Sequence, residues 1–413
     1  MLIGFRVKNF RSFGEEQTLT FEAAKTLPES KRRIHTADGD YYKLMAVYGP
    51  NAGGKSNLVR AIVAFKYLVM RSAKEYTQGD LLPAEPFMLD HQKRTEPTLF
   101  EAEFSYQGCR YNYQFSINRT KILSERLCAF PKGVRQIWFE REARADANYD
   151  WHFGRQFKGS KRLWKESTRE NALFLSTAVQ LNSDQLKPVA EWIQQRLMVL
   201  PGNGIPKDVT VNMWLRGPEH QENVFNFVKK ADRTITGMTL QRKKLKNGHL
   251  EEFSSEDSVS VPDDVVLELR SLHRDDLQQR VDFSFDQEST GTQKMFELAA
   301  PVLLTDQIEV TLVADELDTH LHPVLFKYLL QSINGNSQRS QLLFTTHNTT
   351  YLNDPDILGR EQIWFVERHP KTQQSELYSL SDFHPLKSHE PENFEAMYLD
   401  GRYGATPDME DVR

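Results

Sequence analysis

The run Gly49-Pro50-Asn51-Ala52-Gly53-Gly54-Lys55-Ser56 constrains this chain more than any other feature. It fills every position of G-x-x-x-x-G-K-[ST]. Glycines let successive backbone N–H groups turn toward one concavity. A helix starting there adds its unpaired N–H groups and the positive end of its dipole. Such a nest holds phosphate when a strand precedes it and a helix follows. Both flanks fit: Lys43–Tyr48 reads as a short apolar strand, and Asn57–Val69 has helical spacing. Lys55 is placed to reach β- and γ-phosphates and Ser56 to coordinate Mg²⁺. The expected nucleotide-binding set is Gly49, Asn51, Gly53, Gly54, Lys55, Ser56 and Asn57.

The chain has 413 residues, enough for two to three domains at about 150 residues each. With two cysteines, Cys109 and Cys128, it has no disulfide framework and no four-cysteine zinc site. The longest apolar run, Leu298–Leu304, contains Pro301 and is far short of the roughly 20 residues of a membrane span. Met1–Arg6 has no signal-peptide core. A cytoplasmic protein that does not enter membranes is expected. Net charge of −5 argues against a generally basic nucleic-acid binder. Two basic stretches remain, Arg155, Lys158, Lys161, Arg162, Lys165 and Arg169, then Arg242, Lys243, Lys244 and Lys246. Each is either a solvated face or a nucleic-acid contact.

Along the chain, residues 1–22 read as paired strands around Asn9-Phe10-Arg11-Ser12-Phe13-Gly14. Residues 26–40, with Lys31, Arg32 and Arg33, look like an exposed loop. Strands are expected over 98–106, 110–118 and 121–130, and a helix over Pro188–Leu200. Pro201, Gly202, Gly204, Pro206, Gly217 and Pro218 suggest a boundary. Helices from about Gly291 and Pro323 alternate with strands Glu309–Ala314 and Gln341–Thr345. A hairpin over 363–380 follows.

The strand Val310–Ala314 ends in Asp315-Glu316. Beside a phosphate loop, Asp315 is placed to hold Mg²⁺ and Glu316 to polarise a water against the γ-phosphate. Thirty-one residues on, the strand Gln341–Thr346 ends in His347. A polar residue at the end of a parallel strand faces the ligand crevice, so His347 is a candidate γ-phosphate contact. Ser289 and Gly291, just before a helix, either offer a hydroxyl and N–H groups to phosphate or simply cap that helix. His384 and His389 are isolated and read as surface residues.

The order of these parts resembles compact ABC-type ATPases of the RecF/SMC branch. Asn9–Phe13 looks like that branch's N-terminal element and Gly49–Ser56 like its Walker A loop. Ser289-Thr290-Gly291 resembles a diverged signature motif. Asp315-Glu316 resembles Walker B plus the catalytic glutamate, Leu317-Asp318 the D-loop, His347 the switch histidine and Gln180 the Q-loop. Only about 108 residues separate Gln180 from Ser289, with no heptads, so the long coiled-coil arms of SMC proteins are absent. The tail Asn393–Gly404 is similar to the closing segment of bacterial phage-defence and abortive-infection ATPases of the AbiL/RloA, Septu PtuA and PARIS AriA types.

That resemblance implies an α/β ABC-type head: a mixed sheet with flanking helices, an N-terminal antiparallel β element and a mostly helical insert. The segments would be an N-terminal ATPase lobe (1–185), the insert (186–285) and a C-terminal ATPase lobe (286–413). It implies ATP and Mg²⁺ as ligands, with Arg11, Gln180, Ser289, Gly291 and Asp318 touching nucleotide and Glu316 and His347 acting in hydrolysis. It further implies pairing of two heads, or a higher oligomer, and a separately encoded effector such as a nuclease, with a phage protein as a candidate trigger. A rival reading is a RecF-like DNA-binding ATPase in repair. A stand-alone nuclease fits poorly, because only 66 residues follow His347.

Overall fold

The computed structural model describes residues 1–23, 32–146, 148–202, 207–246, 249–252, 265–335, 338–383 and 392–406. Lys31, Gly204, Pro206, His384 and His389 lie outside the described residues, as do the side chains of Arg242, Lys243, Lys244 and Lys246. The chain divides into two compact units. The first is Met1–Gly202, Ile308–Leu317 and Ile333–Arg413; the second is Asn203–Gln307 and Asp318–Ser332.

The first unit opens with β1 (Leu2–Lys8) and β2 (Gln17–Thr20), paired antiparallel as expected, with Phe5 opposite Leu19. A short ribbon follows, β3 (Arg33–Thr36) and β4 (Gly39–Tyr42), where a loop was expected. Its signal was Asp38-Gly39, a hairpin dipeptide in which glycine takes the positive φ. Next come β5 (Leu44–Tyr48) and α1 (Lys55–Arg71). Five further strands are β6 (Thr98–Tyr106), β7 (Cys109–Ile117), β8 (Ile122–Phe130), β9 (Gln136–Ala143) and β10 (Tyr149–Phe153). They join β1 and β2 in an antiparallel sheet ordered β10-β9-β8-β7-β6-β1-β2. Alternation puts Phe100, Ala102 and Phe104 of β6 on the buried face. That face meets α1, where Phe65 stacks on Phe115 with ring centroids 5.5 Å apart and abuts Phe5 edge-on.

Two short helices, α2 (Lys161–Ser167) and α3 (Phe174–Gln180), follow, then α4 (Lys187–Glu191). The first turn of α3 is fixed from below by Glu125. Its carboxylate, fully buried, accepts from the N–H groups of Phe174 and Leu175, from Tyr113 Oη and from Arg141. The helix expected over Pro188–Leu200 stops at Arg196, and Leu197–Leu200 is β11 instead. Four apolar residues can read as the end of a buried helix or as a buried strand; parallel pairing with Thr311–Ala314 decides for strand. Lys66 of α1 donates to the Leu197 carbonyl, and burial of its amine lowers its pKa to about 8.

The second sheet runs β11-β16-β17-β5-β18-β19, with β16 (Thr311–Ala314), β17 (Gln341–Thr345), β18 (Ile363–Arg368) and β19 (Ser375–Ser379). Its first five strands are parallel, and β19 closes an antiparallel hairpin with β18, as expected. Every residue of β5, β16 and β17 is buried, which explains their unbroken apolar runs. Gln341, like Thr311 and Thr345, is a buried polar exception. Its amide bridges both backbone polar groups of Leu2 and so ties β17 to β1.

The second unit holds α5 (Asp208–Trp214), α6 (Pro218–Val228) and a sheet ordered β13-β12-β14-β15. Its strands are β12 (Gly237–Lys246), β13 (His249–Glu252), β14 (Val265–Arg274) and β15 (Arg280–Ser284). The 186–285 segment is thus not mostly helical. Its alternating residues pair as strands along Gly237–Lys246 and Val265–Arg274, the longest ladder of the unit. The same unit contains α7 (Thr290–Gln307). Pro301 sits inside that helix and cannot donate to the Glu297 carbonyl; the Thr210 hydroxyl takes over at 3.5 Å. α8 (Pro323–Gly335) begins at the expected proline, and α9 (Phe394–Leu399) belongs to the tail. Among the described residues no helix is long and apolar enough to cross a membrane.

Candidate functional site

The carboxyl ends of parallel strands are where an α/β sheet binds ligand. Here those ends carry the phosphate loop (after β5), Asp315 (after β16), His347 (just past β17) and Arg368 (at the end of β18). The glycines of the loop have a reason beyond phosphate. Gly49 and Gly54 have positive φ, and a Cβ on Gly49 would collide with the Val366 carbonyl oxygen of β18. One on Gly53 would lie 2.8 Å from the same oxygen. The loop is wrapped tightly against the neighbouring strand. Ser375 of β19, buried behind it, donates its hydroxyl to Gly53 O at 2.6 Å.

Lys55 is only 5% exposed. Its ammonium donates to Gly49 O (2.7 Å) and Pro50 O (3.1 Å) and lies 3.4 Å from His347 Nδ1. It is therefore held inside the concavity of its own loop. One cavity of about 430 Å³ is lined by Asn51, Lys55, Ser56, Asn57, Glu316 and His347, with Arg60 and Arg368 at its rim. Residues far apart in sequence meet there, as the spacing of the motifs anticipated. Three permanent cations against one carboxylate suit a polyphosphate.

Asp315 and Glu316 are set by β17. The Thr345 hydroxyl donates to Asp315 Oδ1 (2.7 Å) and accepts from the Glu316 N–H (2.8 Å). Glu316 has φ +47°, the left-handed region, which turns the chain sharply at the strand end. His347 begins the turn after β17, where Thr346 and Asn348 side chains accept backbone N–H groups. The oxygens of Ser56 and Asp315 are the hard donors that Mg²⁺ prefers. On the far side of Asp315 lies Gly202, where a Cβ would make ordinary contact, 3.5 Å from Oδ2.

Five expected residues lie away from that cavity: Arg11 and Gln180 elsewhere in the first unit, and Ser289, Gly291 and Asp318 in the second. Arg11 pairs with Glu85 at 2.7 Å and lines an adjoining cavity of about 740 Å³, which shares Asn57 and Arg368 with the phosphate cavity. Gln180 is not brought to the phosphate loop. It lines a separate cavity of about 160 Å³ with Val69, Met70 and Ala73 at the far end of α1. Fourteen residues of helix separate Val69 from Lys55, about 21 Å at 1.5 Å each. Proximity in motif order does not survive that length of helix. In the second unit, Ser289 caps α7: its hydroxyl accepts from Thr292 N at 3.1 Å. A Cβ on Gly291 would meet the His320 carbonyl at 3.0 Å, so the segment carrying Asp318 and His320 lies against the start of α7. Arg368 and Arg60 escaped the sequence reading. Arg368 is brought to the cavity by pairing: β18 is parallel to β5, with Phe365 opposite Tyr48, and Arg368 closes the strand.

Fold and site together define an α/β P-loop head with a phosphate-binding cavity at the carboxyl ends of its parallel strands. Residues 44–353 match the family described as "AAA domain, putative AbiEii toxin, Type IV TA system", and the chain belongs to that family. No curated protein matches the chain. Among solved structures, an SMC head domain from Thermotoga maritima is similar at 14% identity, covering 92% of this chain and 98% of that one, with a TM-score of 0.39. An SMC head bound to the C-terminal winged-helix domain of ScpA gives 13%, 92%, 97% and 0.43 in the same order. An SMC head with an extended coiled coil bound to the C-terminal domain of ScpA, from Pyrococcus furiosus, gives 12%, 97%, 99% and 0.40. A likeness of that degree is too loose to carry a function from those proteins to this one.

Proposed function

We propose that the protein binds ATP at the loop Gly49–Ser56 and hydrolyses it. ATP-bound heads then pair as the sensor and scaffold of a bacterial anti-phage, abortive-infection module that controls a separately encoded effector, a nuclease. The observation that carries the ATPase reading is the single cavity lined by Lys55, Ser56, Glu316 and His347. Lys55 leaves the loop carbonyls for the β- and γ-phosphate oxygens. Ser56 and Asp315 would hold Mg²⁺, which when bound neutralises charge on the phosphates. Glu316 accepts a proton from the water attacking the γ-phosphorus, the bond to the bridging oxygen breaks, and ADP leaves. His347 donates to the γ-phosphate.

Ser289, Gly291 and the N-terminus of α7, with Asp318, serve a second copy's nucleotide. Their placement in a unit of their own suits that role. In functional terms the segments 1–185 and 286–413 act as the two ATPase lobes, and 186–285 as the insert that carries the signal. The family description, which names a toxin–antitoxin system, is in line with defence.

Turnover per subunit should rise with protein concentration, and a flat profile in a verified monomer would overturn head pairing. Protein purified from its own host should carry a stoichiometric effector. A RecF-like role in DNA repair is the alternative, favoured by the exposed Arg155, Lys158, Arg162 and Lys165 near α2. Salt-dependent DNA binding lost on neutralising Lys161, Arg162 and Lys165, with no effector recovered, would move the assignment there.

A further inference from the structure

We propose that Thr345 is the positioning residue of the acid pair: one buried hydroxyl orients Asp315 toward a divalent cation and holds Glu316 in its turn. The proposal rests on the reading of Asp315 and Glu316 as the cation-holding and water-activating acids.

Thr345 ends β17, the strand between β16 and β5, and the register Ala314 opposite Phe344 brings it level with Asp315. It is wholly buried. The directions of its hydrogen bonds follow from chemistry. The Glu316 N–H can only donate, so at 2.8 Å the Thr345 oxygen accepts. The single hydroxyl proton is then free for Asp315 Oδ1, at 2.7 Å, where a carboxylate can only accept. Oδ1 is thus engaged, while Oδ2, on the side of Gly202, takes no bond from Thr345. The Thr345 carbonyl also accepts from Leu317 N, at 3.3 Å. One residue therefore holds three consecutive positions, 315 to 317, including the left-handed Glu316. Outer partners of this kind fix the orientation of metal-binding carboxylates.

The test compares Thr345→Val, which keeps the shape and removes the hydroxyl, with Thr345→Ser, which keeps the hydroxyl, in the full chain. Three readings are taken: binding of a fluorescent ATP analogue in EDTA, Mn²⁺ affinity by electron paramagnetic resonance with a non-hydrolysable ATP analogue present, and turnover. The valine variant should keep metal-free nucleotide binding, lose about 10–100-fold in Mn²⁺ affinity and lose turnover by a similar factor. The serine variant should recover both. Wild-type Mn²⁺ affinity in the valine variant, or a serine variant as weak as valine, overturns the proposal. So does loss of metal-free nucleotide binding together with Mn²⁺, which marks a merely structural role. Should the valine variant not fold, Thr345→Ala carries the same expectations. If the wild-type chain binds no nucleotide, or Lys55→Ala leaves its binding unchanged, the ATPase reading itself fails and the proposal falls with it.

Discussion

Replacing Lys55 by methionine separates binding from folding. The ammonium is buried against the carbonyls of Gly49 and Pro50, at 2.7 and 3.1 Å. Those neutral acceptors offset the cost of taking the charge out of water, a cost methionine does not incur. Loss and relief roughly cancel, so unfolding free energy should change by about 1 kcal/mol or less. Binding is different. In the bound state the two hydrogen bonds are to anionic phosphate oxygens and are worth about 1.5–3 kcal/mol each. After subtracting the carbonyl bonds surrendered, about 3 kcal/mol remains, or roughly two orders of magnitude in Kd. Titration of a fluorescent ATP analogue, paired with urea unfolding, reads both numbers. Affinity within about threefold of wild type would refute the placement of Lys55 on phosphate. A loss of stability above about 3 kcal/mol would refute the offset argument.

Gly49→Ala should abolish nucleotide binding, because φ +152° and the Val366 carbonyl both oppose a side chain; calorimetric titration that detects ordinary binding would contradict this. Glu125→Gln should destabilise the fold by about 3–5 kcal/mol in urea unfolding, since it strands the buried Arg141 and weakens the cap of α3. Lys66 supplies a pH test. Its folded pKa of about 8 lies below the ordinary lysine value, so between pH 8 and 10 the unfolded chain binds more protons and wild type gains stability as pH rises. Lys66→Met lacks that gain, so its advantage over wild type should shrink across this window; a difference independent of pH would refute the burial of the charge.

Much of the site was legible because its parts are local. A glycine loop between an apolar strand and a helix, or two acids closing an apolar strand, show their chemistry in a few residues. What escaped depended on pairing. Leu197–Leu200 could not be told from the end of a helix until β16 lay beside it. Arg368 acquires meaning only from the parallel register of β18 with β5. Thr345 sat unnoticed inside an apolar run, because its role comes from the strand opposite. Gln180 failed for the converse reason: order along the chain suggested proximity, and the length of α1 removed it. The sheet of the second unit escaped because its two long strands, Gly237–Lys246 and Val265–Arg274, declare themselves only when paired with each other.

Head pairing driven by bound ATP is the central claim, and native mass of the Glu316→Gln variant tests it most directly. With ATP and Mg²⁺ the variant should run at no less than twice the 48.0 kDa of the chain, and return to the monomer when ATP is removed or Lys55→Met is added. A variant that binds ATP yet stays at the mass of one chain would contradict the account.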